Sequence, residues 1–113
     1  MELNHIHVYV RNLAPAVEWF ERVCEARLTY RGDNMASLAL GPLQLLLDSA
    51  DEDGRITIGF STKDCDAAFA TLVGRRAAVI EPPTDRPYGV RAAYLPGPGA
   101  VTVELEQMLP RKT

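Results

Sequence analysis

The sequence predicts an α+β fold of two βαβββ modules. Three observations carry that expectation. An alternating strand and an amphipathic helix open the chain; the same pair returns at Ile56; three strand-like runs follow each helix. One such module cannot cover its own sheet, so the two are expected to pack on each other or on a partner chain.

The first strand is read over residues 4–10. Residues two apart share a face, so Ile6, Val8 and Val10 turn to the helix and His5, His7 and Tyr9 turn the other way. Asn12 has the side chain of an N-cap, and Pro15 falls in the first helical turn, where a missing N–H costs little. Over residues 13–25, Ala16, Val17, Phe20, Val23 and Cys24 form one stripe. Glu18, Glu21, Arg22 and Glu25 form the opposite face. Strands are then expected over 26–31, 34–40 and 43–48, with turns at Gly32-Asp33 and Gly41-Pro42. The acidic stretch 49–54 reads as the linker. The module boundary is placed between Asp48 and Ile56, giving module one about residues 1–50 and module two about 51–113.

In the second half a strand is expected over 56–62, with Thr57, Gly59 and Ser61 on the inward face. Asp64 is the N-cap of a helix over 65–73, whose stripe is Ala68, Phe69, Leu72 and Val73, with Gly74 as the stop. Strands are expected over 77–81, 90–95 and 101–106. The Pro/Gly-rich stretches 82–89 and 96–99 are read as connections. On the last strand Val101, Val103 and Leu105 face the helix, and Glu104 and Glu106 face inward.

A chain of 113 residues suits one domain, able to bury roughly two thirds of its unfolded surface. Apolar residues at 47 % and charged residues at 24 % are the mix of a soluble globular protein and exclude a disordered chain. A net charge of −3 gives no basis for nucleic-acid binding. No apolar run approaches the roughly 20 residues of a membrane helix, and the opening residues are too polar for a secretory leader. Cys24 and Cys65 lack metal-type spacing. They are expected to be core-packed thiols in a reducing cytoplasm.

Local phrases within this pattern resemble the glyoxalase/bleomycin-resistance/extradiol-dioxygenase family, the vicinal oxygen chelate family. They are the opening strand Leu3-Asn-His-Ile-His-Val-Tyr-Val-Arg-Asn-Leu13 and the passage Phe60-Ser-Thr-Lys-Asp-Cys-Asp-Ala-Ala-Phe69. The closing strands add Pro87-Tyr-Gly-Val-Arg91 and Gly99-Ala-Val-Thr-Val-Glu-Leu105. The resemblance covers nearly the whole chain, to about Gln107. It implies curved, cup-shaped mixed sheets with the helices on the outer face, and a cup lined by the inward faces of the strands. Metal-dependent members carry ligands on the first and last strand of each half. His5 and Glu104 match two such positions. Thr57 stands where a histidine would be, and Gln44, Leu45 and Leu46 offer no carboxylate. Metals of the zinc or iron type usually want three or more protein ligands, so no metal and no cofactor is expected.

The resemblance thus implies a binding module. A homodimer of cup-shaped subunits is expected to sequester a small organic molecule, with ligand contacts from His5, His7, Tyr9, Thr57, Gly59, Tyr88, Arg91 and Glu104. Arg91 would meet an anionic ligand or stay a solvated edge charge. Trp19 would pack at an edge or a dimer contact, and Tyr30 and Tyr94 are further candidates for the cup or its rim. The rival reading is an enzyme. One form is a metal-dependent glyoxalase-like lyase or dioxygenase, which would need His5, His7 and Glu104 to converge. The other is a metal-free isomerase using His5 or Glu104 as base. No nucleophile elbow and no phosphate-cradling glycine loop occurs.

Overall fold

A computed structural model of the chain describes residues 1–110. The element order is β1 (Glu2–Val10), α1 (Leu13–Cys24), β2 (Arg27–Arg31), β3 (Met35–Leu40) and β4 (Leu43–Ser49). It continues with β5 (Ile56–Ser61), α2 (Cys65–Gly74), β6 (Glu81–Asp85), β7 (Val90–Pro96) and β8 (Val101–Met108). This is βαβββ twice, as the repeat implies. Two compact units result: residues 4–57, and residues 58 onward together with 1–3.

In the first unit the strand order is β2-β3-β4-β1. The β1–β4 pair is parallel and the other two pairs are antiparallel, so the sheet is mixed. The strand alternation sorts this sheet into two chemically different faces. Ala36, Leu38, Leu45 and Leu47 form the core with Leu13 and Val17 of α1, and Ile6, Val8, Val10 and Phe20 pack against it. Leu38 and Leu47 are wholly buried, which stabilises the unit by about 1.5–3 kcal/mol each. The reverse face of β1 and β4 carries His5, His7 and Tyr9 opposite Gln44, Leu46 and Asp48.

The α1 helix departs from expectation at both ends. Asn12 makes no side-chain cap bond; only its carbonyl takes part, accepting from the Ala16 N–H at 3.3 Å. At the other end Glu25 adopts φ 54 and closes the helix in the left-handed conformation. That end stands clear of the sheet, so Val23 and Cys24 are exposed instead of core-packed.

In the second unit the order is β5-β8-β7-β6. Cys65, Ala93, Leu95 and Leu105 form its core, against which Phe60, Ala68, Phe69, Leu72 and Val103 pack. Asp64 caps α2 as expected, its Oδ1 accepting from the Ala67 N–H at 3.0 Å. Gly74 is the last helical residue, while Arg76, at φ 69, takes the left-handed position beyond it. Val73 is largely exposed.

The strand expected over 77–81 lies instead at Glu81–Asp85, inside a stretch read as a connection. Two adjacent prolines concealed it, because proline cannot donate to a ladder. They are tolerated since β6 is an edge strand, and its register against β7 shifts between Glu81 and Thr84. Among the described residues no helix is long and apolar enough to cross a membrane.

Candidate functional site

The buried polar residues are His5, Ser37, Thr57 and Glu104. A buried polar group is expensive without partners, so such residues mark a built feature. On the first unit's polar face Ser37 belongs to a connected network. Thr29 Oγ1 donates to the Ser37 carbonyl at 3.0 Å and lies 3.1 Å from Ser37 Oγ, which accepts from Gln44 Nε2 at 2.9 Å. His5 Nδ1 lies 2.8 Å from Asn4 Oδ1.

His7 and Tyr9 continue the row along β1. The His5 and His7 rings meet edge to face, with centroids 5.0 Å apart. Tyr9 stacks near-parallel on His7 at 6.3 Å, and the Arg55 guanidinium lies 5.1 Å from the Tyr9 ring centre. His7 Nδ1 is 2.8 Å from Asp48 Oδ2, and both side chains are about a quarter exposed. Asp48 was not singled out from the sequence. Its signal was there: it ends the expected strand over 43–48 and shares a face with Gln44 and Leu46.

In the second unit Tyr94 stands directly opposite Glu104 and donates its phenolic proton to Glu104 Oε2 at 2.7 Å. Burial, and then the bond to Glu104, push the Tyr94 phenol well above the ordinary tyrosine range. Arg86 lies over the Tyr94 ring, 5.4 Å from its centre, and pairs with Glu81 at 2.8 Å. Its Nη2–H bonds do not line up with that carboxylate, and Nε has no aligned acceptor among the described residues. Nothing in the sequence pattern marks Arg86, which lies in the Pro/Gly-rich stretch 82–89 expected to be a connection.

The remaining expected ligand contacts fall differently. Thr57 and Gly59 are buried on β5, and Gly59 is not among the glycines with positive φ. Tyr88 sits in the β6–β7 turn and is 66 % exposed. Arg91 shares a strand face with Ala93 and Leu95, which pack on α2, so it lies on the helix side, away from Glu104. There it bridges Asp66 at 3.1 Å and Asp85 at 2.8 Å. The second unit therefore groups Tyr94 and Glu104 on one face and leaves Arg91 and Tyr88 outside that group. Trp19 is half-exposed and meets Phe20 edge to face, and Tyr30 is exposed.

The family's metal positions are only half filled by suitable donors. His5 and Glu104 are ligand types. Leu45 is committed to the core, the Gln44 amide nitrogen to Ser37, and Thr57 offers a buried hydroxyl.

Each unit is four strands with a helix on one face and a polar, partly buried opposite face, an α+β arrangement repeated twice. The model of the glyoxalase/bleomycin resistance protein/dioxygenase superfamily matches residues 2–105, and the chain belongs to that superfamily. No curated protein matches the sequence. Among solved structures, a hypothetical protein from Bacillus halodurans is similar at TM-score 0.71 and 17 % identity, over 99 % of this chain and 97 % of that one. Methylmalonyl-CoA epimerase from Mycobacterium tuberculosis is similar at TM-score 0.69 and 20 % identity, over 96 % and 89 %. The Streptomyces coelicolor methylmalonyl-CoA epimerase in complex with 2-nitronate-propionyl-CoA gives 0.68 and 19 %, over 97 % and 99 %. At these identities the likeness is one of fold.

Proposed function

We propose that this protein binds a small organic molecule on the polar faces of its sheets. On the first unit's face His5, His7 and Tyr9 orient polar atoms of a ligand beside Thr57; on the second unit's face Glu104 does so, and Gly59 leaves room. The observation that carries this reading is the burial of His5, Ser37, Thr57 and Glu104 on strands whose other faces are apolar cores. Polar side chains buried beside small ones are what a ligand surface needs. Superfamily membership supports the same reading. Arg91 is left out because its guanidinium is already held by two carboxylates.

The test is a thermal-shift and calorimetric screen with acyl-CoA thioesters, methylmalonyl-CoA among them, and with bleomycin-type glycopeptides. A ligand so found should bind about 1–3 kcal/mol more weakly to His7→Ala and not at all to Gly59→Leu. An unchanged affinity in Gly59→Leu sinks the reading.

A second reading is an enzyme. His5 and His7 offer two neighbouring imidazoles on the first unit, donors that a divalent metal takes. A bound metal would supply Lewis-acid chemistry. Without one, His5 or Glu104 is the base of an isomerase. Turnover of a screened ligand, abolished in Glu104→Gln, would establish the enzyme.

A further inference from the structure

The polar face of module one holds a pair whose chemistry is more specific than polarity. His7 lies on β1 and Asp48 near the end of β4. In the parallel register Asp48 stands opposite Tyr9 and not opposite His7. The 2.8 Å contact between His7 Nδ1 and Asp48 Oδ2 is therefore a diagonal reach across the two strands. An ionised carboxylate only accepts hydrogen bonds, so the nitrogen facing it must carry the proton. In a neutral imidazole the other nitrogen then carries the lone pair. The ring is confined on both sides: His5 meets it at 80° and Tyr9 stacks on it at 19°.

We propose that Asp48 is a positioning residue that holds His7 in its Nδ1–H tautomer, so that Nε2 is a fixed acceptor selecting ligands that present an O–H or N–H donor. This deepens the binding reading above. A hydroxyl, an enol or an amide N–H would be taken, and a ligand offering only ether or ester oxygens would not. If a reaction follows, the same Nε2 is oriented to receive a proton. A serine or an alanine at position 48 would leave the ring free to exchange tautomers, and asparagine would keep an oxygen acceptor without the charge.

The chain has two histidines, so two-bond nitrogen–proton NMR on the labelled protein gives two ring patterns, assigned with His7→Gln. The spectrum is taken at about pH 8.5, above the roughly 6.5 of an ordinary imidazole. The expected result is a His7 ring protonated at Nδ1 and bare at Nε2. Asp48→Ala should move it toward Nε2–H, Asp48→Asn should leave most of it unchanged, and His5 should keep its pattern in both. A wild-type His7 protonated at Nε2, or at both nitrogens, overturns the proposal, as does an Asp48→Ala spectrum like the wild type. The measurement needs no ligand. A correct tautomer with no binding in any screen would sink the binding reading and leave the role of Asp48 standing.

Discussion

The Tyr94 hydroxyl and the Glu104 carboxylate face each other across a directly opposed pair of β7 and β8, 2.7 Å apart, with Glu104 buried. Hydrogen bonds to charged or buried acceptors are worth more than the average bond, because the acceptor has lost water that could replace the donor. Tyr94→Phe removes this donor while keeping the ring that packs under Arg86. It is expected to destabilise the protein by about 1–3 kcal/mol. Urea unfolding measures this, and a loss under about 0.5 kcal/mol would show the bond to be incidental.

The same contact sets behaviour at high pH. The folded-state pKa of Tyr94 is raised, so the native state holds the phenolic proton more tightly than the unfolded chain does. The resulting stability is fully present below the ordinary tyrosine value of about 10 and is lost as pH rises beyond it. Ultraviolet titration should show one of the four tyrosines ionising only with unfolding. Tyr94→Phe should abolish that late step, and four tyrosines titrating together in the native protein would refute the assignment.

The two thiols should react very differently. Cys24 is exposed, and Cys65 is fully buried, with burial and then Asp66 pushing its thiol up. Thiolate is the reactive form, so a thiol reagent should modify one cysteine in the native protein and both in denaturant. Cys24→Ser should leave no fast-reacting thiol. Two fast equivalents in the native state would contradict the packing of α2 on β8.

The purified protein is expected to carry no stoichiometric transition metal, because Thr57 and the Gln44–Leu46 segment lack the ligands that the family's metal-dependent members use. Elemental analysis decides it. One Fe, Zn, Ni or Mn per chain, absent from His5→Ala, would favour the metal-using enzyme with His7 as a further donor.

Trp19, Val23, Leu28 and Tyr30 leave large apolar side chains exposed in module one. A second copy of the chain is the expected cover, so light scattering should give the mass of a homodimer at micromolar concentration. A monomer mass across that range would count against it, and Trp19→Glu should weaken a dimer formed on this surface.

Much of this was legible from strand periodicity. The alternation of Ile6, Val8 and Val10 with His5, His7 and Tyr9 separates the two faces of β1, and Leu105 against Glu104 does the same for β8. Both faces were readable because each strand buries one side in a core, so apolar residues recur at every second place. What escaped depends on partners distant in sequence. The reach of His7 to Asp48 requires the parallel register of β1 on β4. Strand β6 has no alternation to read, since its prolines survive only where one edge needs no donors. The failure of Asn12 to cap, beside the success of Asp64, is a matter of side-chain direction that residue type does not encode.

The proline pair in β6 has a consequence for how copies of this chain meet. Successive N–H groups of a strand point to opposite sides, so one of Pro82 and Pro83 takes a donor from the outer rim of the second unit's sheet. An incoming strand would find a gap in the ladder there, and pairing through that rim is opposed by covalent structure rather than by charge. At the other rim β2 is exposed along its whole length and relies on Arg27 and Arg31, whose like charges would confront a second β2 laid against it. The two rims are thus guarded by different means, and acid or salt would weaken neither proline. Replacing both arginines with threonine would open the one rim that electrostatics alone protects, and fibrils seeded there would grow while Pro82 and Pro83 still closed the other.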